Sequence, residues 1–141
     1  MRTVTPDLQL GVEINPGVQE FGPLLNWTVA RETATAPMLN FGTSSDRIGT
    51  PSGTRSYYLT AAKSLQQWSI VPYASIAYST FEEKVLFPFG VGIHLGEKWV
   101  LTPMNDGRKS HLMLTHRGED MSVSLLWIWL RHPGVSVSWG F

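Results

Sequence analysis

The chain of 141 residues contains no cysteine, which removes disulfide frameworks, thiolate metal sites and cysteine nucleophiles from consideration. A metal would have to be held by histidines and carboxylates. Charge imbalance is missing too, since Lys and Arg number 11 and Asp and Glu 11. With no global field, acidic tail or basic arm, a nucleic-acid partner is not expected. No uninterrupted apolar run approaches the roughly 18 to 20 residues of a membrane-spanning helix. Any crossing of a bilayer must then be made by strands. Helical periodicity is scarce, and the best window, Leu59 to Gln67, also reads as a strand end. The opening Met1-Arg2-Thr3-Val4-Thr5-Pro6-Asp7 lacks the apolar core of a secretory signal peptide, so an exported form is expected to be a mature chain or a fragment.

What is present is punctuation. The 13 glycines and 9 prolines repeatedly interrupt runs rich in Val, Ile, Tyr, Trp, Phe and Thr, the pattern of many short strands in one domain over residues 1–141. The clearest strand is Val85 to Leu95, where Val85, Phe87, Phe89, Val91, Ile93 and Leu95 alternate with Leu86, Pro88, Gly90, Gly92 and His94. Residues 135–141 repeat the rule with Val135, Val137, Trp139 and Phe141, and the start does so with Leu8, Leu10, Val12 and Ile14. Further strands are expected at 24–32, 37–44, 55–63, 68–81, 99–105, 109–116 and 121–131, about ten in all. Asn105-Asp106-Gly107 and His132-Pro133-Gly134 are expected reversals. Residues 44–53 form the longest expected loop.

Alternation alone does not say which face meets water. From Ser56 onward the charges gather in the expected turns, as Glu82, Glu83 and Lys84; Glu97 and Lys98; Asp106, Arg108 and Lys109; Arg117, Glu119 and Asp120; and Arg131. Within those strands only Lys63 is charged. The water-facing side of a soluble sheet would carry about 25 to 35% charged residues, whereas Lys or Arg facing mid-bilayer costs about 2 to 4 kcal/mol. The non-apolar face is rich in Ser69, Ser75, Ser79, Gly90, Gly92, Ser122, Ser124, Ser136 and Ser138, too small for a packed apolar core. The expected fold is therefore all-β, an antiparallel up-and-down transmembrane β-barrel of about 8 to 10 strands. Its lipid-facing residues would be Val85, Phe87, Phe89, Val91, Ile93, Val135, Val137, Trp139 and Phe141. Tyr57, Tyr58, Trp68, Trp99, Trp127, Trp129 and Trp139 tend toward strand ends, where amphipathic rings favour the lipid–water boundary.

The terminal segment Gly134-Val135-Ser136-Val137-Ser138-Trp139-Gly140-Phe141 resembles the C-terminal insertion signal of bacterial outer-membrane β-barrel proteins. In that family the closing strand ends on an aromatic residue with apolar residues at alternate positions. The resemblance implies that Val137, Trp139 and Phe141 form the insertion signal. It also implies a bacterial outer-membrane location, contact with membrane lipids, and recognition by the barrel assembly machinery. This chain is expected to be the whole barrel or the C-terminal part of a larger one.

Candidate chemistry is sparse, and no motif requires a cofactor. His111 and His116 are five apart on one strand and so face opposite sides, against a paired metal site. His94 shares the small-residue face and is a lumen candidate, with Glu13 and Arg31, which are expected to pair there. His132 belongs to an expected turn. Ser110 and His111 are adjacent and also diverge, so a serine–histidine hydrolase is open only across strands. The expected role is a structural, adhesive or narrow-pore, porin-like membrane protein of a Gram-negative bacterium. The alternatives are a lipid-modifying barrel enzyme and a soluble β-barrel that binds an apolar ligand.

Overall fold

The computed structural model describes residues 2–15, 20–46 and 50–139. It is all-β, with strands β1 (Arg2–Thr5), β2 (Leu8–Asn15), β3 (Glu20–Ala30), β4 (Met38–Ser45), β5 (Arg55–Ala62) and β6 (Ile70–Ser79). There follow β7 (Lys84–Leu86), β8 (Phe89–His94), β9 (Trp99–Asn105), β10 (Ser110–Arg117), β11 (Met121–Ile128) and β12 (His132–Trp139). Among the described residues the helical content is one 3-10 turn, Gln66–Trp68, overlapping the end of the window that carried the best helical signal.

The strands form a single antiparallel up-and-down sheet of 12, in the order β1-β2-β3-β4-β5-β6-β8-β9-β10-β11-β12, with β7 also on β6. Apart from β7 and β8, which both lie on β6, each strand pairs with its neighbour in sequence, so short hairpins suffice and no crossover is needed. Twelve exceeds the expected count of about ten for two reasons. β1, a strand of 4 residues, is too short for period two to register. Val85 to Leu95 is split, because Pro88 has no N–H to give to the ladder. The register nevertheless runs through the break, with Ala77 opposite Leu86 and Ala74 opposite Phe89. The Pro88 carbonyl still accepts the Ser75 N–H at 2.8 Å. β7 and β8 therefore act as one strand along β6.

Two other boundaries move. β3 ends at Ala30 and β5 at Ala62, which puts Arg31, Glu32 and Lys63 in connections. His132-Pro133-Gly134 is not a turn but the start of β12, opposite Ile128, Trp127 and Leu126; a proline is admissible there because β12 ends the strand order. The reversal lies one step earlier, at Trp129 and Leu130, whose φ values are 53° and 54°, closed by the Arg131 N–H on the Ile128 carbonyl at 3.0 Å. Positive φ at both central residues is the type I′ requirement usually met by Asn-Gly, so sequence gave no hint of it. The Asn105-Asp106-Gly107 reversal forms as expected, with Gly107 at φ 91° and its N–H on the Asn105 Oδ1 at 2.9 Å.

Glycines on the polar face are covered by tyrosines from the next strand: Tyr58 lies opposite Gly42 and Tyr73 opposite Gly90. A Cβ on Gly90 would stand 2.6 Å from the Tyr73 hydroxyl and 2.9 Å from the Pro103 carbonyl oxygen, whereas at Gly92 the nearest atom is 3.7 Å away. Gly90→Ala should therefore lower stability by about 1 to 3 kcal/mol, while Gly92→Ala should leave it unchanged or raise it. Equilibrium denaturant midpoints of the two variants check the contrast.

Candidate functional site: the apolar face and its two rims

Residues opposite one another across a ladder share a face, so the registers carry one row of side chains across the whole sheet. Leu125 faces Val135 and Leu114; Leu114 faces Leu101; Leu101 faces Ile93; Ile93 faces Ile70. The parallel rows add Tyr57, Leu59 and Tyr78, Ile76 in β5 and β6, Phe41 and Trp27 in β4 and β3, and Leu8, Leu10 and Val12 in β2. One face is thus apolar from β2 to β12. It is also the accessible face. Phe87 is 64% exposed, Phe89 57%, Leu125 55%, Val135 68% and Val137 42%, and Val85 is exposed as well. Val91 and Ile93 are half-buried on the same face. Trp139 pairs with Met121 in that row, its side chain and Phe141 lying outside the described residues.

The opposite face is polar, small and covered. Among the described residues, every buried strand residue lies on it, including Gly42, Ala77, Ser79, Leu86, Val100, Thr102 and His111. Hydrogen-bonded pairs cross its ladders: Thr60 with Ser75 at 2.7 Å, Thr115 with Ser124 at 2.8 Å, and the Asn40 amide with Asn26 Oδ1. Glu13 is in register with Gly22 on this side, its side chain outside the described residues. His94 is opposite Val100 and lines a cleft of about 250 Å³ with Ser64, Gln66 and Ser69. Arg31 lies apart from both. It sits in the β3–β4 connection, its side chain 67% exposed, and pairs with Asp7 at 2.7 Å, in the role the sequence assigned to Glu13.

Charged residues within β2 to β12 are Glu13, Glu20, Arg55, Lys84 and Arg117, and all but Glu13 are strand-terminal. Several of the charges outside the strands join neighbouring hairpins at the two rims. At one rim Lys63 meets Glu32 at 3.3 Å, and the Glu32 carboxylate accepts the Ser64 N–H at 3.0 Å. At the other, Asp46 Oδ2 accepts the fully buried Ser79 hydroxyl at 2.6 Å and the Phe81 N–H at 3.3 Å, while Arg108 pairs with Glu82. On that second rim His111 Nε2 lies 3.0 Å from Asp106 Oδ2, and its Nδ1 accepts the Trp129 N–H at 3.4 Å. The Nε2 therefore carries the proton. Lys109 Nζ stands 3.6 Å above the Trp129 ring, a cation–π contact. Burial acts to raise the Asp106 carboxyl, but hydrogen bonds from the Lys109 N–H, His111 and the Arg108 N–H outweigh it and hold the carboxyl below its ordinary range.

Sequence reasoning placed His111 and His116 on opposite faces, and the registers agree: His111 pairs with Met104 and His116 with Trp99. It did not foresee the link from Asp106 through His111 to Trp129. The only available signal was a histidine shortly after an Asp-Gly turn. Among the described residues no serine hydroxyl is hydrogen-bonded to a histidine ring, and no group of three or more His, Asp and Glu side chains could hold a metal. A concavity of about 870 Å³ forms a shallow groove on the apolar side, lined by Leu101, Leu112, Leu114, Leu125, Trp127 and Val135 among others. No protein family model, curated protein or solved structure matches the chain.

Because the folded Asp106 carboxyl is depressed, its contribution to stability is fully present above its unfolded value of about 4 and is lost as pH falls through the lower folded value. Asp106→Asn should be less stable than wild type at pH 7, with the gap narrowing in the acid range. Denaturant midpoints against pH for both chains check this. A gap independent of pH would mean that the contribution does not come from ionisation.

Proposed function

We propose that the chain is an integral membrane protein that inserts as an antiparallel β-barrel of the bacterial outer-membrane kind, with a structural, adhesive or narrow-pore role. One observation carries the proposal: the apolar face is continuous across the sheet and exposed, whereas the polar face holds all the buried strand residues. Water would penalise that arrangement by about 25 cal/mol for each Å² of apolar surface left wet. Hydrocarbon favours it. Contiguous apolar patches beyond a few hundred Å² are rare on soluble monomers and mark contact with a membrane or a partner.

Three further features support lipid as the medium. Strand-interior charge is confined to Glu13, in a polar-face register, as a bilayer requires. Aromatic residues flank the apolar band: Tyr57, Tyr78, Phe81, Phe87 and Trp127 toward one rim, and Trp27, Trp68 and Trp99 toward the other, all of them exposed. The backbone is satisfied by strand pairing along the sheet, as is needed where no water can help. The polar face carries the buried side chains of Leu86, Val100, Thr102 and His111, which favours a closed or narrow lumen over a wide channel.

Lys at position 125 tests the assignment against Lys at 136. Leu125 is on the apolar face and Ser136, exposed, is on the polar one. In phosphatidylcholine vesicles Leu125→Lys should reduce folded stability by about 2 to 4 kcal/mol, and Ser136→Lys by much less. Denaturant titration of vesicle-bound protein reads both. Equal losses, or a wild-type chain that stays dispersed without detergent and does not float with vesicles, would overturn the proposal.

A further inference from the structure

The two ends of the sheet are not equivalent. β2 pairs with β3 along its full length, from Leu8–Trp27 to Asn15–Glu20, yet on its other edge β1 covers only Leu8 to Leu10, with a register shift between Thr3 and Thr5. Gly11 to Asn15 have no partner on that side among the described residues. β12 pairs through all of His132 to Trp139 with β11, and its outer edge is the far end of the order.

Direction decides what fits these edges. Every adjacent pair is antiparallel, and with β7 and β8 taken as one strand the path from β2 to β12 contains ten strands. β12 therefore runs opposite to β2 but in the same direction as β1. Antiparallel pairing is the more stable and by far the commoner, and single-chain bacterial barrels have even strand numbers. Composition agrees. β2 and β12, each of 8 residues, share an apolar alternation in sequence: Leu8, Leu10, Val12 and Ile14 on one, Val135, Val137 and Trp139 on the other. β1 instead sets Arg2 in register with Leu10, a charge in a row that is otherwise apolar and that hydrocarbon would not accept. On the polar side Gln9 and Ser136, next to the two edges, are exposed, whereas Thr60, Ser75 and Thr102 in mid-sheet are buried or half-buried. Joining the edges would cover both.

We propose that β12 displaces β1 from the edge of β2, closing ten strands into the membrane barrel, and that β1 is an exchangeable guard of that edge in water. The inference rests on the membrane reading above. An unpaired strand edge invites intermolecular pairing in water and leaves several kcal/mol per orphaned backbone group in hydrocarbon, so each medium selects its own partner for β2. A short, bulged strand carrying an arginine suits the first role and is easily released.

The absence of cysteine makes the test clean. Arg2→Cys/Leu10→Cys reports the β1–β2 pair. Val12→Cys/Val135→Cys and Val12→Cys/Val137→Cys report β2–β12 in two adjacent registers on one face, within disulfide reach only if the strands pair. Each protein is oxidised mildly in detergent-free buffer and after flotation with dilauroylphosphatidylcholine vesicles. The Arg2/Leu10 crosslink should form in buffer and be lost in vesicles, where one Val12 pair should crosslink within the monomer. Floated protein that keeps the Arg2/Leu10 crosslink, or whose Val12 pairs join only between molecules, would overturn the exchange and leave the membrane reading standing. Protein that does not float removes both.

Discussion

The structure depends on one coupling, between the two-residue period of the strand and a register that keeps the faces in step from β2 to β12, the shift between Thr28 and Ala30 on β4 falling at the very end of β3. Because opposite residues share a face, a polar or apolar choice made in one strand is carried to the next, and a slip of one residue would invert every later strand. The sheet avoids such a slip even at Pro88, where the ladder loses a donor but Ala77–Leu86 and Ala74–Phe89 stay in step. The result is a sheet whose exposed face carries large apolar side chains and whose opposite face carries hydrogen-bonded pairs such as Thr60–Ser75 and Thr115–Ser124. In water that sorting is upside down. The proposal of a membrane barrel follows from asking which solvent makes it right side up.

The rims have a different logic. Apart from Asp106–His111, which is largely buried and lies within one hairpin, the ion pairs there join neighbouring hairpins and are at least partly exposed, so each adds little to stability; what they fix is the spacing of hairpin ends. The Trp129–Leu130 turn is the exception in cost, since two bulky residues in the left-handed region require about 1 to 2 kcal/mol each. The surroundings hold it: the Trp129 N–H is taken by His111, its ring lies under Lys109, and the His132 ring stands edge-on at 5.8 Å. Asp106 anchors His111 in turn, so one carboxylate at the β9–β10 turn supports the next turn along the sheet.

Much of this was legible from residues alone, and the gaps have physical causes. Period two located β2, β8 and β12 because Leu8 to Ile14, Phe89 to Ile93 and Val135 to Trp139 alternate without interruption. The outward direction of the apolar face came from charge placement, which is visible in sequence because turns and strands differ in composition. β1 was missed because four residues with a bulge carry no period. The β11–β12 turn was misplaced because His132-Pro133-Gly134 has strong turn chemistry, while the true turn at Trp129 and Leu130 has none and is held by contacts from another hairpin. Arg31 was placed within the expected strand over residues 24–32 for want of a stop signal after Ala30, and its partner Asp7 lies far away in sequence. The rim contacts of Asp46 with Ser79 and of His111 with Trp129 bring together residues from separate hairpins, which single-sequence patterns do not register.

The central claim is that hydrocarbon touches the face bearing Leu125 and Val135. It is tested most directly by placing a nitroxide, one position at a time, at residues 121 to 128 of the cysteine-free chain in lipid vesicles. Collision rates with dissolved oxygen, which concentrates in the bilayer, are compared with those of a water-soluble nickel chelate. The account predicts oxygen-dominated relaxation at 121, 123, 125 and 127, alternating with low oxygen access at 122, 124 and 126. Nickel access at the odd positions as high as at the turns, or no alternation along the strand, would contradict it.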